Sequence, residues 1–492
     1  MMRIIGAILI LMLALLLVGC GGGGTPATGS LAGFIYRDAI PGQMVFSAHS
    51  RSGLTAIAGA VVTAAGFSAT TDSTGTFQLQ GIPCGETQVQ VTAPAFTSTR
   101  MSVKINEGEN ALVATTPGAP VKSKWTVLIY MAADNSLSLE GLKDLNEMET
   151  VGSTDQVKVV VQYDKQGSAD TRRYEIAKDD DLTKVTSPVV QDLPNVDSGN
   201  PAVLRDFLLW GQRNYPAEHY MLVLWDHGSG WDPDSRSLAR SISQDDPTGN
   251  VISITELPGA LQTTQPIDII AADACLMSMQ EVAYEIRNCA DYYVSSEELE
   301  PVSGYNYARI LNNMITPAGL ALSPGEVSDM IAREAREEWA DYNNMTTSVI
   351  KLDRTAAVTT ALDSLAHRLR QVVNFYPDEL KRARVESVRF GLSAVDLRVD
   401  LYDYAARLQS YVPDSEVASR ANALQLVINN AVTANYVRPG RGNARGISIY
   451  LPTSETYFAP RTFSQQPPPS VTYPELQLAH DSDWDEWLAL QP

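Results

Sequence analysis

Cysteine is scarce in this chain of 492 residues. It contains four cysteines, Cys20, Cys84, Cys275 and Cys289, which lie far apart. Four scattered thiols are too few for a disulfide-stabilised scaffold, and they lack the paired spacing of a zinc site. Each cysteine therefore needs its own explanation.

Positive charge is also scarce. Lysine and arginine total 37 against 57 aspartate and glutamate residues, which gives a net charge of -20. Such a surface repels a phosphate backbone, so nucleic acid is excluded as a partner. Hydrophobic residues make up 44% and charged residues 19% of the chain, which is typical of folded domains. At roughly 100 to 200 residues per domain, the length predicts two to four domains.

Long apolar runs are confined to the amino terminus. Arg3 precedes the apolar run Ile4–Val18, which predicts a secretory signal over residues 1–20, and no later run reaches 18 apolar residues. A polytopic membrane protein is therefore excluded. The sequence Leu17–Cys20 resembles the bacterial lipobox, which implies cleavage before Cys20 and lipid attachment to its thiol. The alternative is an ordinary secretion signal with a chance cysteine. Glycine-rich residues 21–30 are expected to form a flexible tether.

Residues 31–116 contain short strand-like stretches separated by turn residues, which predicts a small all-β sandwich. The predicted strands are Gly33–Tyr36, Ala60–Ala64, Thr76–Leu79, Thr87–Thr92 and Ser102–Ile105. The run Thr71–Phe77, followed by Gly81–Pro83, resembles the transthyretin-like, carboxypeptidase-regulatory type of sandwich. It carries no catalytic cluster, so we expect a spacer or adhesion module, with Cys84 in a turn.

After a linker at residues 117–124, apolar strands alternate with amphipathic helices. This predicts an α/β domain over residues 125–452, with a mostly parallel sheet covered by helices on both faces. The predicted strands are Thr126–Met131, Lys158–Gln162, Tyr220–Trp225, Ile267–Ala271, Tyr292–Ser295, Ser348–Lys351 and Gly446–Leu451. The predicted helices are Leu139–Glu149, Ala202–Asn214, Thr255–Gln262, Leu276–Asn288, Pro324–Asp341, Ala356–Phe375, Leu397–Gln409 and Ser419–Ala434. Residues 453–492 are expected to form a C-terminal surface segment packed by Trp484 and Trp487.

Two of these strands end in residues that carry chemistry. One runs into His227 and Gly228, and the next runs into Asp273 and Cys275. The carboxyl ends of parallel strands meet at one edge of an open sheet. We therefore expect His227 and Cys275 to lie close together at that edge.

A thiol beside an imidazole suits acyl transfer. His227 would take the proton of Cys275 and later protonate the leaving amine. The backbone N–H groups of Gly228 and Cys275 would hold the oxyanion, and the N-terminus of the predicted helix Leu276–Asn288 would favour the thiolate. The alternative is a buried cysteine and a histidine bonded within a turn. The matching strand ends favour the catalytic interpretation.

These motifs resemble the clostripain family of cysteine peptidases, relatives of caspases and gingipains. His227 and Cys275 are 48 residues apart, a spacing comparable to that of caspases. The matching segments are Trp125–Tyr130, Met131–Asn135, Leu224–Trp231 and Asp273–Met277. The resemblance implies a caspase-like fold and an endopeptidase in which His227 is the general base and acid and Cys275 the nucleophile.

The resemblance also implies how substrates are selected. Asp273 stands where clostripain-like peptidases place a carboxylate in the specificity pocket, which selects Arg or Lys before the scissile bond. A second acidic residue often occupies the position that is Asn306 here. Specificity for basic residues would therefore depend mainly on Asp273. Capping of the predicted helix Leu276–Asn288 is the alternative role of Asp273.

Two further properties are implied by relatives. Many are activated by self-cleavage in the loop that corresponds to residues 231–250, which makes Arg240 the first candidate site and Arg236 the second. A passive surface loop is the alternative.

The thiol chemistry requires no cofactor, but some relatives need calcium. The acidic groups Asp179–Asp181 and Asp245–Asp246 would bind it, although they lack the spacing of a calcium loop. Solvated acidic loops explain them equally well.

The sequence thus predicts a lipid-anchored peptidase of the bacterial cell envelope that faces outside the cytoplasm. Its predicted partners are protein or peptide substrates and the membrane. Two other functions stay open. One is a catalytically silent surface protein that only binds, and the other is a transpeptidase that uses the same dyad.

Overall fold

The structure, a computed structural model, divides into two compact units, Met1–Val121 and Lys122–Pro492. It describes residues 28–37, 44–47, 55–93, 99–111, 115–116, 122–167, 170–231, 242–391, 397–458 and 472–492. The predicted signal with Cys20, and the candidate cleavage sites Arg236 and Arg240, lie outside these residues. No helix within the described ranges is long and apolar enough to cross a membrane.

The smaller unit consists of short strands. Its described strands are β1 (Thr28–Arg37), β2 (Met44–Ser47), β3 (Thr55–Ala56), β4 (Val61–Ala64), β5 (Phe67–Thr70), β6 (Thr76–Pro83), β7 (Gly85–Thr92), β8 (Thr99–Ile105), β9 (Gly108–Ala111) and β10 (Thr115–Thr116). One sheet is built around β1, which pairs antiparallel with β2, β3 and β6 and parallel with β9, while β10 pairs with β2. The other is antiparallel, in the order β5-β4-β7-β8.

Alternating apolar residues of this unit share one core, which includes Leu31, Val62 and Val89. All five predicted strands are present, and Cys84 lies in the turn between β6 and β7. β1 begins inside the predicted tether, because Thr28 pairs with Pro83 at the end of β6.

The larger unit alternates strands and helices. Its described strands are β11 (Ser123–Ala133), β12 (Val157–Lys165), β13 (Asp170–Glu175), β14 (Val189–Pro194), β15 (Ala217–Trp225), β16 (Ile242–Asp245), β17 (Asn250–Ile252), β18 (Ile267–Asp273), β19 (Ala290–Ser295), β20 (Thr346–Lys351), β21 (Arg389–Phe390), β22 (Arg398–Asp400), β23 (Val432–Val437) and β24 (Ser448–Tyr450). Its described helices are α1 (Ser138–Glu149), α2 (Pro201–Asn214), α3 (Leu257–Ala260), α4 (Gln280–Glu285), α5 (Tyr307–Met314), α6 (Pro317–Leu320), α7 (Pro324–Glu338), α8 (Thr355–Val372), α9 (Pro377–Glu386), α10 (Leu401–Tyr411), α11 (Ser415–Ala431), α12 (Ser454–Phe458), α13 (Gln477–His480) and α14 (Trp484–Leu488).

Nine of the described strands form the central sheet, in the order β14-β13-β12-β11-β15-β18-β19-β20-β23. The five strands from β12 to β19 are parallel, and each edge carries two antiparallel strands. The predicted mostly parallel α/β sheet is therefore confirmed. The predicted strand Gly446–Leu451 is present as β24, but its expected place in the central sheet is wrong, because β24 pairs with β22 in a separate small sheet. The edge position belongs to β23, because α11 ends at Ala431 instead of continuing to Ala434.

The central strands bury side chains on both faces. Val127 and Met221 belong to one core, and their neighbours Leu128 and Leu222 belong to the other. This is the alternation expected of strands covered by helices on both sides. Trp484 and Trp487 of α14 are fully buried in the same core as Leu128 and Leu222.

Candidate active site

The strands that precede the two candidate catalytic residues are neighbours in the central sheet. β15 and β18 run parallel, and Trp225 lies opposite Asp273 at their ends. The backbone N–H of Asp226 donates to the carbonyl of Asp273 over 3.4 Å. His227 and Cys275 therefore leave the sheet at the same edge and from adjacent strands, which is the arrangement expected from the sequence.

Gly228 brings the two segments into contact. A Cβ atom at this position would lie 2.5 Å from the carbonyl oxygen of Cys275 and 2.9 Å from the Cβ of Ala274. Only glycine allows such a close approach of two backbones. The residue that follows His227 is thus packed directly against Cys275.

The segment after Cys275 is a loop, and the predicted helix start at Leu276 is wrong. Leu276 has a φ of +63°, and its N–H donates to the carbonyl of Glu298. Contacts with the segment after β19 hold these residues out of a helix, and α4 begins only at Gln280. The N-terminus of α4 therefore does not lie at the thiol to stabilise its anion, contrary to expectation.

The thiol of Cys275 contacts the backbone of Glu300. The N–H of Glu300 donates to Sγ over 3.3 Å, and Sγ lies 3.8 Å from the carbonyl oxygen of the same residue. Burial raises the pKa of the thiol, the Glu300 N–H lowers it, and the charges of Asp273 and Glu298 raise it further. The net shift is upward, so the resting thiol is protonated at neutral pH.

The imidazole of His227 is bonded to Ser136, which lies just beyond β11. The Oγ of Ser136 is 2.8 Å from Nε2 of His227. Burial lowers the pKa of His227 below its usual 6.5, against the opposing effect of the Asp246 charge. The neutral imidazole present at neutral pH is able to accept a proton.

Asp226 anchors the backbone immediately before His227. Its Oδ1 accepts a hydrogen bond of 2.7 Å from the Asn135 amide, and Oδ2 accepts one from the backbone N–H of Gln244. The Asn135 amide also donates to the carbonyls of Ala132 and Gln244. This buried network ties the ends of β11 and β15 to β16 and so fixes the backbone on which the histidine stands.

Asp273 is buried beneath the segment that leads into α5. Its carboxylate accepts the N–H of Tyr305 over 3.2 Å and the hydroxyl of Tyr307 over 2.7 Å. A Cβ at Gly304, whose φ is +56°, would lie 2.9 Å from both carboxylate oxygens. Burial raises the pKa of Asp273 to about 6, against these hydrogen bonds. Because α4 begins at Gln280, the alternative role of Asp273 as a helix cap is wrong.

Four carboxyl groups form what we call the acidic cluster: Asp144, Glu147, Asp273 and Glu300. Burial raises the pKa of each, and the charge of Asp273 raises those of the other three further. Within the described residues no lysine or arginine pairs with any of them. The cluster therefore offers a place where a cation would relieve repulsion.

Asn306 does not contribute to this cluster. It caps α5, where its Oδ1 accepts the N–H of Arg309 over 2.8 Å, and its Nδ2 donates to Glu338 over 2.9 Å. The neighbours Tyr305 and Tyr307 reach Asp273 instead.

The structure thus brings together His227, Gly228, Cys275 and Asp273 at one edge, without Asn306. It adds Ser136 and Glu300, which the sequence analysis missed; Ser136 follows a strand end at the same edge and was the easier of the two to find.

The larger unit matches a known family along almost its whole length. The sequence profile of the clostripain family matches residues 129–489. The chain belongs to the clostripain family. It is therefore a cysteine endopeptidase, as the resemblance implied. Residues 50–116 match the carboxypeptidase regulatory-like domain, which confirms the resemblance of the sandwich.

Individual clostripain-family relatives agree with this assignment. Clostripain of Hathewaya histolytica is 23% identical over 406 residues, which cover 68% of this chain and 76% of that protein. A secreted C11 cysteine protease from Bacteroides thetaiotaomicron, solved with an irreversible peptide inhibitor, is 23% identical with a TM-score of 0.56; the match covers 74% of this chain and 99% of that one. An inactive zymogen C11 protease from Parabacteroides distasonis has the same identity and coverage, with a TM-score of 0.55. The predicted α/β fold, with a mostly parallel sheet flanked by helices, is shared with these structures.

Proposed function

We propose that this protein is a lipid-anchored endopeptidase of the bacterial cell envelope that uses His227 and Cys275 to cleave peptide bonds after arginine or lysine. The observation that carries the proposal is the register of β15 and β18, together with the packing of Gly228 on Cys275. These contacts bring an imidazole and a thiol to the same sheet edge, where α/β folds gather catalytic groups.

The protonation of the resting site favours general-base catalysis. With the pKa of His227 lowered and that of Cys275 raised, the imidazole and the thiol at this edge are both neutral. Ser136 occupies Nε2, which leaves Nδ1 to take the thiol proton as sulfur attacks the peptide carbonyl. The oxyanion that forms would accept hydrogen bonds from the N–H groups of Gly228 and Cys275.

The same histidine would complete the reaction. The imidazolium returns its proton to the departing amine, which leaves a thioester on Cys275. A water molecule then gives its proton to His227, its oxygen attacks the thioester, and the thiol leaves with that proton. No cofactor takes part in these steps.

The acidic cluster supports selection of basic side chains. Asp273 and Glu300 lie next to one another, and Glu300 also holds the thiol through its backbone N–H. A guanidinium or ammonium group of the substrate would neutralise the buried charge of Asp273 close to the attacking sulfur. Arg or Lys is therefore the residue we propose before the scissile bond. Glu300 would serve as the second acidic residue, which relatives often place at the position of Asn306.

Anchoring and activation complete the proposal. The lipobox-like sequence before Cys20 supports attachment to a membrane, and one relative is described as secreted. Another relative is described as an inactive zymogen. We propose that this chain is also made as a zymogen and is cleaved after Arg240 or Arg236.

The direct test compares two cysteine substitutions in the full chain, assayed on short peptide amides that end in Arg or Lys. Cys275→Ala is expected to abolish hydrolysis. Cys289→Ala is the matched control, because Cys289 is also partly buried in the larger unit and packs at its core; it is expected to retain activity. Hydrolysis that survives Cys275→Ala would refute the proposal.

A further inference from the structure

The small sheet formed by β21, β22 and β24 contacts both segments that carry the proposed catalytic residues. On β24, the N–H and the hydroxyl of Ser448 each donate to the carbonyl of Ser278 over 2.9 Å, three residues after the thiol. On β22, Nη1 of Arg398 donates to the carbonyl of Ser229 over 3.0 Å, two residues after the imidazole. Because β22 and β24 pair directly, one structural unit holds both segments.

Arg398 is a buried cation that is 3% exposed. Burial of a guanidinium is unfavourable unless an opposite charge and hydrogen-bond acceptors replace its hydration. Glu281 on α4, which is fully buried, supplies the opposite charge. Burial raises the pKa of Glu281 to about 7, and the charge of Arg398 counteracts this rise. Oε1 of Glu281 accepts the N–H of Tyr450 and the hydroxyl of Tyr473, each over 2.9 Å. The guanidinium therefore has a fixed counter-charge, and it directs a donor at the backbone beside His227.

Residues 228–231 pack tightly against the segment that follows the thiol. A Cβ at Gly230, whose φ is +57°, would collide with Sδ of Met279 and lie 2.5 Å from the carbonyl oxygen of Leu276. The N–H of Trp231 donates to the same sulfur over 3.2 Å. Gly228 is equally confined by its contacts with the residues at the thiol. Packing therefore fixes the positions of both glycines, on either side of the serine between them.

Ser229 stands between two glycines, and its peptide group depends on an outside contact for its orientation. Glycine has a wide range of backbone angles, so Gly228 and Gly230 by themselves do not determine the direction of the peptide groups between them. The hydroxyl of Ser229 is buried and has no hydrogen-bond partner in the described structure. Its carbonyl is held instead, by Arg398, and a hydrogen bond from a charged donor is about twice as strong as one between neutral groups.

We propose that Arg398 is a positioning residue for peptide hydrolysis, which holds the Ser229 carbonyl and thereby fixes the direction of the Gly228 N–H. This inference rests on the proposed function, in which that N–H stabilises the oxyanion. A donor lowers the barrier most when it is already aimed at the developing charge. A rotated peptide would therefore leave substrate binding intact and slow the chemical step. Arg398 would act through Gly228 and would not itself contact the reacting atoms.

The first test compares substitutions of two buried arginines in the full chain. Arg398→Met removes the donor and the charge but keeps a long side chain. We expect kcat on Arg amides to fall at least about tenfold with KM unchanged, the pattern of an interaction made in the transition state. Arg398→Lys keeps a charged donor and is expected to restore most of the lost kcat. Arg173→Met is the control and should retain kcat, because Arg173 is 1% exposed but lies on β13, three strands from β15.

Two inhibitors distinguish a misplaced oxyanion donor from a damaged pocket. A peptidyl arginine aldehyde reacts with the thiol of Cys275: a C–S bond forms, the thiol proton passes to the former carbonyl oxygen, and that oxygen occupies the proposed oxyanion site. Agmatine presents the guanidinium group without a carbonyl. In Arg398→Met the inhibition constant of the aldehyde is expected to rise by the factor by which kcat/KM falls, whereas that of agmatine stays constant. An equal rise for both inhibitors, or parental kcat in Arg398→Met, would overturn the proposal.

A double variant controls for the charge that is left behind. Arg398→Met alone leaves Glu281 without its opposite charge, which destabilises a buried site. Arg398→Met combined with Glu281→Gln removes both charges and keeps an acceptor for Tyr450 and Tyr473. Its melting temperature is expected to return toward that of the parent chain, while kcat stays as low as in the single variant. Recovery of kcat in the double variant would trace the loss to the charge of Glu281 and overturn the role of Arg398.

Hydrogen–deuterium exchange tests the contact without peptidase activity. In the full chain with Cys275→Ala, the added change Arg398→Met is expected to speed exchange of the backbone amides of residues 226–231 and to leave those of β12 unchanged. Unchanged exchange at residues 226–231, or a rise of equal size in β12, would overturn the inference. If the parent chain fails to cleave Arg amides, that failure counts against the proposed function alone, and exchange at residues 226–231 still decides whether Arg398 holds the segment.

Discussion

The backbone N–H of Glu300 donates to the thiol of Cys275 over 3.3 Å, and the carboxyl group of the same residue lies beside Asp273. One residue thus connects the proposed nucleophile to the acidic cluster. The negative charge of Asp273 raises the pKa of the thiol. A basic substrate side chain that neutralises Asp273 would therefore also make the thiol easier to deprotonate, so binding and activation are coupled.

Removal of the Asp273 charge is expected to abolish the preference for basic residues. In Asp273→Asn the buried partner of the substrate cation is lost, which typically costs 2 kcal/mol or more, or about 30-fold in kcat/KM for Arg and Lys amides. Asp181→Asn, which removes an exposed carboxylate elsewhere, serves as the control. Steady-state kinetics on matched Arg and norleucine amides measures the change. A thirtyfold preference for Arg that persists in Asp273→Asn would contradict this assignment.

Gly228 is expected to tolerate no side chain. The added Cβ of Gly228→Ala would meet the carbonyl oxygen of Cys275 at 2.5 Å, and displacing either backbone would disturb the proposed nucleophile and the proposed oxyanion site. Misplacement by about 1 Å is known to lower rates by about 100-fold. Gly259→Ala is the control, since a Cβ there meets nothing within 4 Å. Comparable kcat values for the two variants would remove Gly228 from the catalytic account.

Ser136 is expected to position the histidine without taking part in the chemistry. Ser136→Ala loses the 2.8 Å contact with Nε2 of His227, and one neutral hydrogen bond is worth about 1 kcal/mol, or about fivefold in kcat. KM is expected to stay unchanged, and Ser136→Thr is expected to restore kcat. A rise in KM with constant kcat would instead place Ser136 in substrate binding.

Activity on Arg amides is expected to depend on pH through Asp273. Its pKa is raised to about 6 by burial, so acidification through pH 6 protonates the carboxylate and removes its attraction for the substrate cation. KM for Arg amides is therefore expected to rise as pH falls through 6. The KM of norleucine amides should lack this rise, and Asp273→Asn should abolish it for Arg amides. A rise of equal size for both substrates would exclude Asp273 as its origin.

Stability provides a second readout of the same group. Because burial raises the pKa of Asp273 in the folded chain above the ordinary value of 3.8, the folded state holds its proton to higher pH than the unfolded state. The contribution of Asp273 to stability is therefore largest below pH 4 and is lost as pH rises to about 6. In Asp273→Asn the melting temperature is therefore expected to change less with pH across that interval than in the parent chain.

The central strands were predictable from the sequence, because each is a continuous apolar run whose side chains are buried in the two cores on either side of the sheet. β13 was not, because its charged residues are satisfied only in the fold: Arg173 is buried, bonds Gln162 on β12 and pairs with Asp206 on α2. The predicted helix Ser419–Ala434 includes the first three residues of β23, which pairing with β20 places in a strand. Edge strands depend on partners that the local pattern does not reveal.

The shared position of the two proposed catalytic residues was predictable from strand ends, whereas their surroundings were not. Leu276 begins an apolar run with helical character, yet tertiary contacts with Glu298 place it at positive φ. Glu300 and Tyr307 reach the site from 25 and 34 residues away in the chain. Such contacts arise from the path of the backbone after β19, which no local periodicity encodes.

The most direct test of the proposed dyad is mass spectrometry of the full chain after reaction with a peptidyl arginine chloromethyl ketone. We predict one adduct, on the peptide that contains Cys275, and a strong reduction of that adduct in His227→Ala. Self-cleavage after Arg240 or Arg236 would appear in the same spectrum as new chain termini at these residues. An adduct on Cys289, or no adduct in a chain that hydrolyses Arg amides, would contradict the account.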